Sequence, residues 1–172
     1  MIKLIGAVLI LFAGTMIGFQ QAARLAARPR QLRQLAHALQ RLETEIGYGH
    51  TPLPEALERT AEVVAAPLAE LFRNAAEGVK GSDGFTFRES WELAMKNGWS
   101  STALRQTELA VMLRLGSTLG ISDKEDQLKH IHLALLQLKA EEDAARDDQS
   151  RYEKMWKSLG VLIAVLVVIL MV

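Results

Sequence analysis

Hydrophobic residues are concentrated at the two ends of the chain, and the middle carries nearly all of the charge. No charged residue occurs in 4–19 or in 159–172. A membrane-spanning helix needs about 20 apolar residues, and each segment approaches that length when its flanking residues are included. The pattern therefore predicts transmembrane helices over 1–22 and 151–172, with a central domain over 23–150.

Basic residues beside these segments predict their orientation. Arg24, Arg28, Arg30 and Arg33 follow the first segment, and four more basic residues cluster just before the second. Because cytoplasmic flanks are enriched in Lys and Arg, the central domain is expected in the cytoplasm of a two-span membrane protein. The alternatives are a cleaved signal peptide with an exported domain, which the arginines disfavour, and a buried C-terminal helix, which the lack of a polar face disfavours.

The central domain shows helical periodicity and no convincing alternating pattern of a strand. One apolar stripe begins after Pro29 and ends at the glycines around Tyr48. We therefore predict an all-α fold, a single antiparallel bundle of about six helices. The stripe consists of Leu32, Leu35, Leu39, Leu42 and Ile46.

Capping residues predict where the other helices begin. The longest is expected to run unbroken into the C-terminal membrane segment, over about 50 residues and about 75 Å. Its polar stretch over 141–148 predicts a solvated stalk. The predicted starts are Thr51 with Pro52, Pro67, Thr86 with Glu89, Ser100 or Ser101, and Ser122 with Glu125, and Asn97-Gly98 is a predicted stop.

Composition excludes several kinds of chemistry. The chain has no cysteine, which excludes disulfides and thiol catalysis, and its formal net charge of zero does not fit a general nucleic-acid binder. No phosphate-binding loop is present. Asp126 and His130, four residues apart, are a possible metal-binding or pH-sensitive pair, but an exposed hydrogen-bonded pair is the simpler interpretation. We expect no enzyme, no cofactor and no metal.

Several blocks resemble the stage III sporulation protein AB family over essentially the whole chain. They are residues 34–46, the block Tyr48-Gly49-His50-Thr51-Pro52-Leu53-Pro54-Glu55-Ala56, Gly98-Trp99, the glycines at 116 and 120, residues 122–127, and Tyr152 to Gly160. The resemblance implies a protein of the forespore outer membrane, made in the mother cell and part of a channel complex between the two cells. It also implies a bundle similar to the cytoplasmic domains of secretion and pilus platform proteins.

Platform proteins of this kind pair with a secretion ATPase, which in sporulation is the separate stage III sporulation protein AA. Such proteins usually carry two bundles, so a single bundle implies possible self-association. The expected partners are thus that ATPase, other membrane proteins of the channel complex and the membrane, with no nucleic acid. The rival interpretation is a passive scaffold or assembly factor that never contacts the ATPase.

The candidate partner-binding residues lie mainly in one turn. An exposed aromatic ring followed by two prolines is typical of a pre-ordered contact loop, although the turn is equally explained as a simple helix connection. Trp99 follows a helix stop and is a second candidate, with core packing as its alternative. The candidates are Tyr48, Gly49, Thr51, Pro52, Leu53, Pro54 and Trp99, and Gly116 and Gly120 are predicted to permit close helix packing.

Overall fold

The computed structural model describes residues 26–49, 51–81 and 84–171, with side chains described as far as 152 and again at Met155. Six α-helices and no strand occur in these residues, which confirms the all-α prediction. Helix α1 covers 26–44 and ends in a π-helical turn, Glu45–Gly49. The other helices are α2 (Leu53–Glu62), α3 (Leu68–Lys80), α4 (Phe87–Gly98, followed by a 3₁₀ turn at Trp99–Ser101), α5 (Gln106–Gly116) and α6 (Lys124–Met171).

The predicted apolar stripe of α1 is the centre of the core. Its leucines at 32, 35, 39 and 42 have no exposed surface, because a three-to-four residue spacing places them on one helix face. Helices α3 and α4 are antiparallel, since Gly78 lies against Ser90 at one end and Gly98 against Leu71 at the other. The same core contains Leu57, Leu68, Phe72, Trp91, Met95, Met112, Leu115, Leu119, Ile131 and Leu138.

Helices α1 and α6 are also antiparallel. Arg28 near the start of α1 pairs with Glu141, whereas Gly47 at the end of α1 lies beside Leu128 near the start of α6. The described chain therefore begins at the end of the bundle from which α6 continues towards Met171, and the turn after α1 lies at the opposite end. At 1.5 Å per residue, residues 26–49 separate these ends by about 35 Å along α1.

The predicted solvated stalk is wrong, although the prediction of one long helix is confirmed over 48 residues. Within the polar stretch, Glu142 and Ala145 are 4% and 3% exposed. The reason is that α1 covers this part of α6, with Arg33 Nε donating to Glu142 Oε1 at 3.1 Å. One face of the polar stretch, with Glu142 and Ala145, is therefore part of the bundle.

The capping box of Thr86 and Glu89 is confirmed, and α4 ends at Gly98 as predicted. Three other predicted helix starts are wrong by one or more residues. The hydroxyl of Thr51 donates to a carboxylate instead of capping α2, so Pro52 is the N-cap. Ser100 and Ser101 lie in the 3₁₀ turn, and α5 begins only at Gln106. The residue that caps the start of α6 is Asp123, whose Oδ1 accepts the Asp126 N–H at 2.8 Å, and not Ser122.

The two predicted transmembrane segments are only partly covered. The first, 1–22, lies outside the described residues. The second, 151–172, falls on the last part of α6, whose backbone is helical to Met171 but whose side chains beyond Met155 lie outside the description. Among the residues that are described, no helix is both long enough and apolar enough to cross a membrane.

Candidate functional site

The turn between α1 and α2, described at residues 45–49 and 51–54, is organised by a buried carboxylate and is called here the α1–α2 turn. Glu45 is 5% exposed. Its oxygens accept hydrogen bonds from Thr51 Oγ1 at 2.9 Å and from Arg59 Nη1 at 3.1 Å, and Arg41 Nη2 lies 2.6 Å from Oε1. One side chain thus joins α1, the turn and α2.

The local sequence explains this geometry. Arg41 precedes Glu45 by four residues, which places both on one face of α1. Gly49 is needed because a Cβ there would lie 2.7 Å from Thr51 Oγ1 and 3.1 Å from Glu45 Oε2. The ring of Pro52 then fixes the backbone at φ −54° where α2 begins. The carboxylate, the glycine and the proline together specify one conformation of the turn.

The turn presents some predicted residues outward and buries others. Tyr48 is 86% exposed, and Pro52 is also exposed. Pro54 is half-buried, and Leu53 packs against the core, where a Cβ at Gly120 would lie 3.4 Å from Leu53 Cδ2. The exposed surface of the turn is therefore formed mainly by the Tyr48 and Pro52 side chains, and Leu53 packs against the core.

Two further apolar side chains are exposed in loops at the same end of the bundle. Phe85, 45% exposed, precedes α4, and Ile121, 71% exposed, precedes α6. Their loops lie beside the turn, because a Cβ at Gly120 would also lie 3.4 Å from Phe87. The sequence analysis did not select either residue, although a large apolar residue next to a loop glycine was a signal that could have found them.

Trp99 does not belong to this surface. It is 4% exposed, and its Nε1 donates to the Arg105 carbonyl at 3.1 Å. Of the two interpretations left open by the sequence, core packing is the one that the geometry supports. Gly116 lies where a Cβ would be 2.1 Å from Trp91 Cδ1, so α4 and α5 approach closely there. Gly120 has a φ of +80°, which favours glycine as the chain leaves α5.

Comparison with known proteins identifies the family. The family described as stage III sporulation protein AB matches residues 3–172. The chain belongs to this family. Stage III sporulation protein AB of Bacillus subtilis (strain 168) is 45% identical over 172 residues, which cover 99% of either chain. A solved structure of a stage III sporulation protein AB is 44% identical, with a TM-score of 0.67, and covers 73% of this chain and 98% of the solved one. The resemblance noted in the sequence is confirmed.

A second group of charged residues lies at the other end of the bundle of this family member. Arg28 is 6% exposed and pairs with the fully buried Glu108 and with Glu141, whose Oε2 lies 2.7 Å away. Glu108 also accepts the N–H of Arg105 at 2.7 Å. These contacts join the first described turns of α1 to α5 and α6. The sequence analysis missed them, since nothing in the sequence pairs residues 80 positions apart.

Glu142 forms a neighbouring cluster on α6. Burial opposes its ionisation, but hydrogen bonds from Arg33 and Lys139 and the charge of Arg146 outweigh burial and hold the pKa of the Glu142 carboxyl below its usual range. The carboxylate is therefore charged at neutral pH and links α1 to α6.

The alternative site at Asp126 and His130 gains no support from geometry. Asp126 is exposed and His130 is half-buried near the start of α6. In the described part of the chain, no group of three or more His, Asp or Glu side chains is arranged to hold a metal ion.

Proposed function

We propose that this protein is a membrane platform of a sporulation channel complex that couples a cytoplasmic secretion-type ATPase to membrane-embedded partners. Membership of the stage III sporulation protein AB family supports a role in a sporulation complex. The ATPase, which would be stage III sporulation protein AA, and the placement in the forespore outer membrane follow from the resemblance. In this proposal both ends of the chain are membrane anchors and the bundle faces the cytoplasm.

The observation that carries the proposal is the position of the α1–α2 turn. The start of α1 lies at the end of the bundle towards which α6 continues, and the turn lies about 35 Å away along α1. With both anchors in one membrane, the turn would be the part of the bundle farthest from the lipid. An exposed tyrosine on a pre-ordered turn at that position suits contact with a cytoplasmic protein.

Binding to the ATPase tests this proposal. The full-length protein in lipid nanodiscs is titrated with stage III sporulation protein AA, with and without nucleotide. Tyr48→Ala is expected to weaken association at least tenfold, because aromatic residues at the centre of an interface dominate its binding energy. Leu53 is not a suitable first target, since its replacement would disturb the core.

Tyr152→Ala is the matched control, because it makes the same change in a tyrosine that is 44% exposed and lies far from the turn, at the start of the predicted C-terminal membrane segment. Equal binding by Tyr48→Ala and the wild type would reject the turn as the contact site. Absence of any association of the wild-type protein would reject coupling and leave the passive scaffold as the function.

A further inference from the structure

We infer that Glu45 is a positioning residue for partner docking, because its buried carboxylate sets the conformation in which the α1–α2 turn presents Tyr48. This inference rests on the proposed function and assigns a role to a residue that would not itself contact the ATPase. Glu45 begins the π-helical turn that contains Tyr48, and Tyr48 follows it by three residues. The charge and the exposed ring thus belong to the same π-helical turn.

The electrostatics of the site favour a conformational role. Removing a carboxylate from water is costly unless donors compensate it, and here two guanidinium groups and a hydroxyl do so. A buried ion pair nevertheless adds little net stability relative to apolar packing. This arrangement instead selects one conformation, because donors from α1, the turn and α2 can all reach the carboxylate in only one conformation of the turn.

Because the partners of Glu45 are exposed, its role in the turn can be tested without unfolding the bundle. The side chains of Arg41 and Arg59 are 43% and 45% exposed, so both stay hydrated when the carboxylate is neutralised. Glu45→Gln keeps the shape of the side chain and leaves no buried charge unpaired. It does remove a charged acceptor, and the amide cannot accept at both of its terminal atoms. The turn is expected to lose its single conformation while the bundle stays folded.

A second variant disturbs the same contact without changing any charge. In Gly49→Ala the new methyl group would lie 2.7 Å from Thr51 Oγ1, so the hydrogen bond between Thr51 and Glu45 must shift. The matched control is Glu55→Gln. Glu55 also accepts from Arg59, at 2.7 Å, but it is exposed, lies within α2 and does not connect α2 to α1.

The experiment measures three quantities for the full-length wild type and each variant in lipid nanodiscs. These are the Kd for stage III sporulation protein AA, the Tm, and amide hydrogen exchange of residues 45–54. Glu45→Gln and Gly49→Ala are each expected to weaken association about tenfold, as for one charge-assisted hydrogen bond lost from the docking conformation. Exchange in 45–54 should quicken, with the Tm within a few degrees of the wild type. Glu55→Gln should change the Kd less than twofold.

A double variant adds a signature that general destabilisation would not produce. Because the Thr51 hydrogen bond ends on Glu45, Thr51→Val should weaken binding by a smaller factor in the Glu45→Gln variant than in the wild type. Wild-type Kd in Glu45→Gln, or a loss of affinity that only accompanies a large fall in Tm, would overturn the inference while leaving the proposed function intact. A wild-type protein that does not bind the ATPase would overturn both.

Discussion

Replacing Arg28 by methionine provides the sharpest test of the energetics at the end of the bundle where the described chain begins. The substitution removes the guanidinium that pairs with Glu108, a residue with no exposed surface. The remaining donors to that carboxylate are the N–H of Arg105 and the hydroxyl of Thr107, at 2.7 and 3.1 Å. Neither carries a charge that could replace the lost one, so the carboxylate stays buried and uncompensated.

The expected cost follows from the desolvation of that carboxylate. Removing one partner of a buried ion pair destabilises a protein by about 3–5 kcal/mol. Losing the second ion pair, with Glu141, adds less to this destabilisation, because the Glu141 side chain is 33% exposed and water can solvate it. The double variant Arg28→Met with Glu108→Gln should recover much of the loss, since no buried charge is then left.

Urea unfolding of the central domain, residues 23–150, measures these values. With a slope of about 2 kcal/mol per M, the Arg28→Met midpoint should fall by roughly 1.5–2.5 M. Lys96→Met is the control, because its pair with Glu92 is exposed on both sides and exposed pairs contribute little to stability. A loss below about 1 kcal/mol in Arg28→Met, or a double variant less stable than the single one, would refute the argument from buried charge.

Two further predictions concern stability. Gly116→Ala should lower the free energy of unfolding in urea by about 1–3 kcal/mol, because the new methyl group would overlap the Trp91 ring. Gly81→Ala is the control and should lower it much less, because a Cβ there meets no atom closer than 3.4 Å. Equal losses in the two variants would contradict the close approach of α4 and α5. Because its folded-state pKa is lowered, Glu142 adds stability that is present above its unfolded pKa and lost as pH falls through the folded one. The Tm difference between the wild type and Glu142→Gln should thus be full at neutral pH and shrink below about pH 4.5, and a pH-independent difference would exclude this linkage.

The sequence predicted those parts of the fold that depend on neighbours along the chain. The α1 stripe is buried as expected because its periodicity alone defines a face, and the Thr86 capping box is a contact over three residues. Trp99 shows the limit of such reasoning. A ring that follows a helix stop looks the same in the sequence whether it points outward or inward, and here a 3₁₀ turn directs it into the core.

The parts that the sequence analysis missed depend on tertiary proximity. Charged residues are read as solvated by default, so neither the burial of Glu45 nor the pairing of Arg28 with Glu108 could be expected. The misplaced stalk has the same origin, because Glu141 and Glu142 are polar in sequence but are paired with α1 in space. The turn between α1 and α2 was located from the sequence, whereas the side chain that organises it was not.

The unbroken helix α6 also fixes a rotational phase between the two ends of the domain. Each residue of an α-helix advances the chain by about 100°, so one residue inserted after Tyr152 would rotate everything beyond it by that angle. Seven inserted residues would lengthen the helix by about 10 Å yet restore the original facing to within roughly 20°. The bundle therefore determines how the C-terminal turns of α6 are rotated about the helix axis.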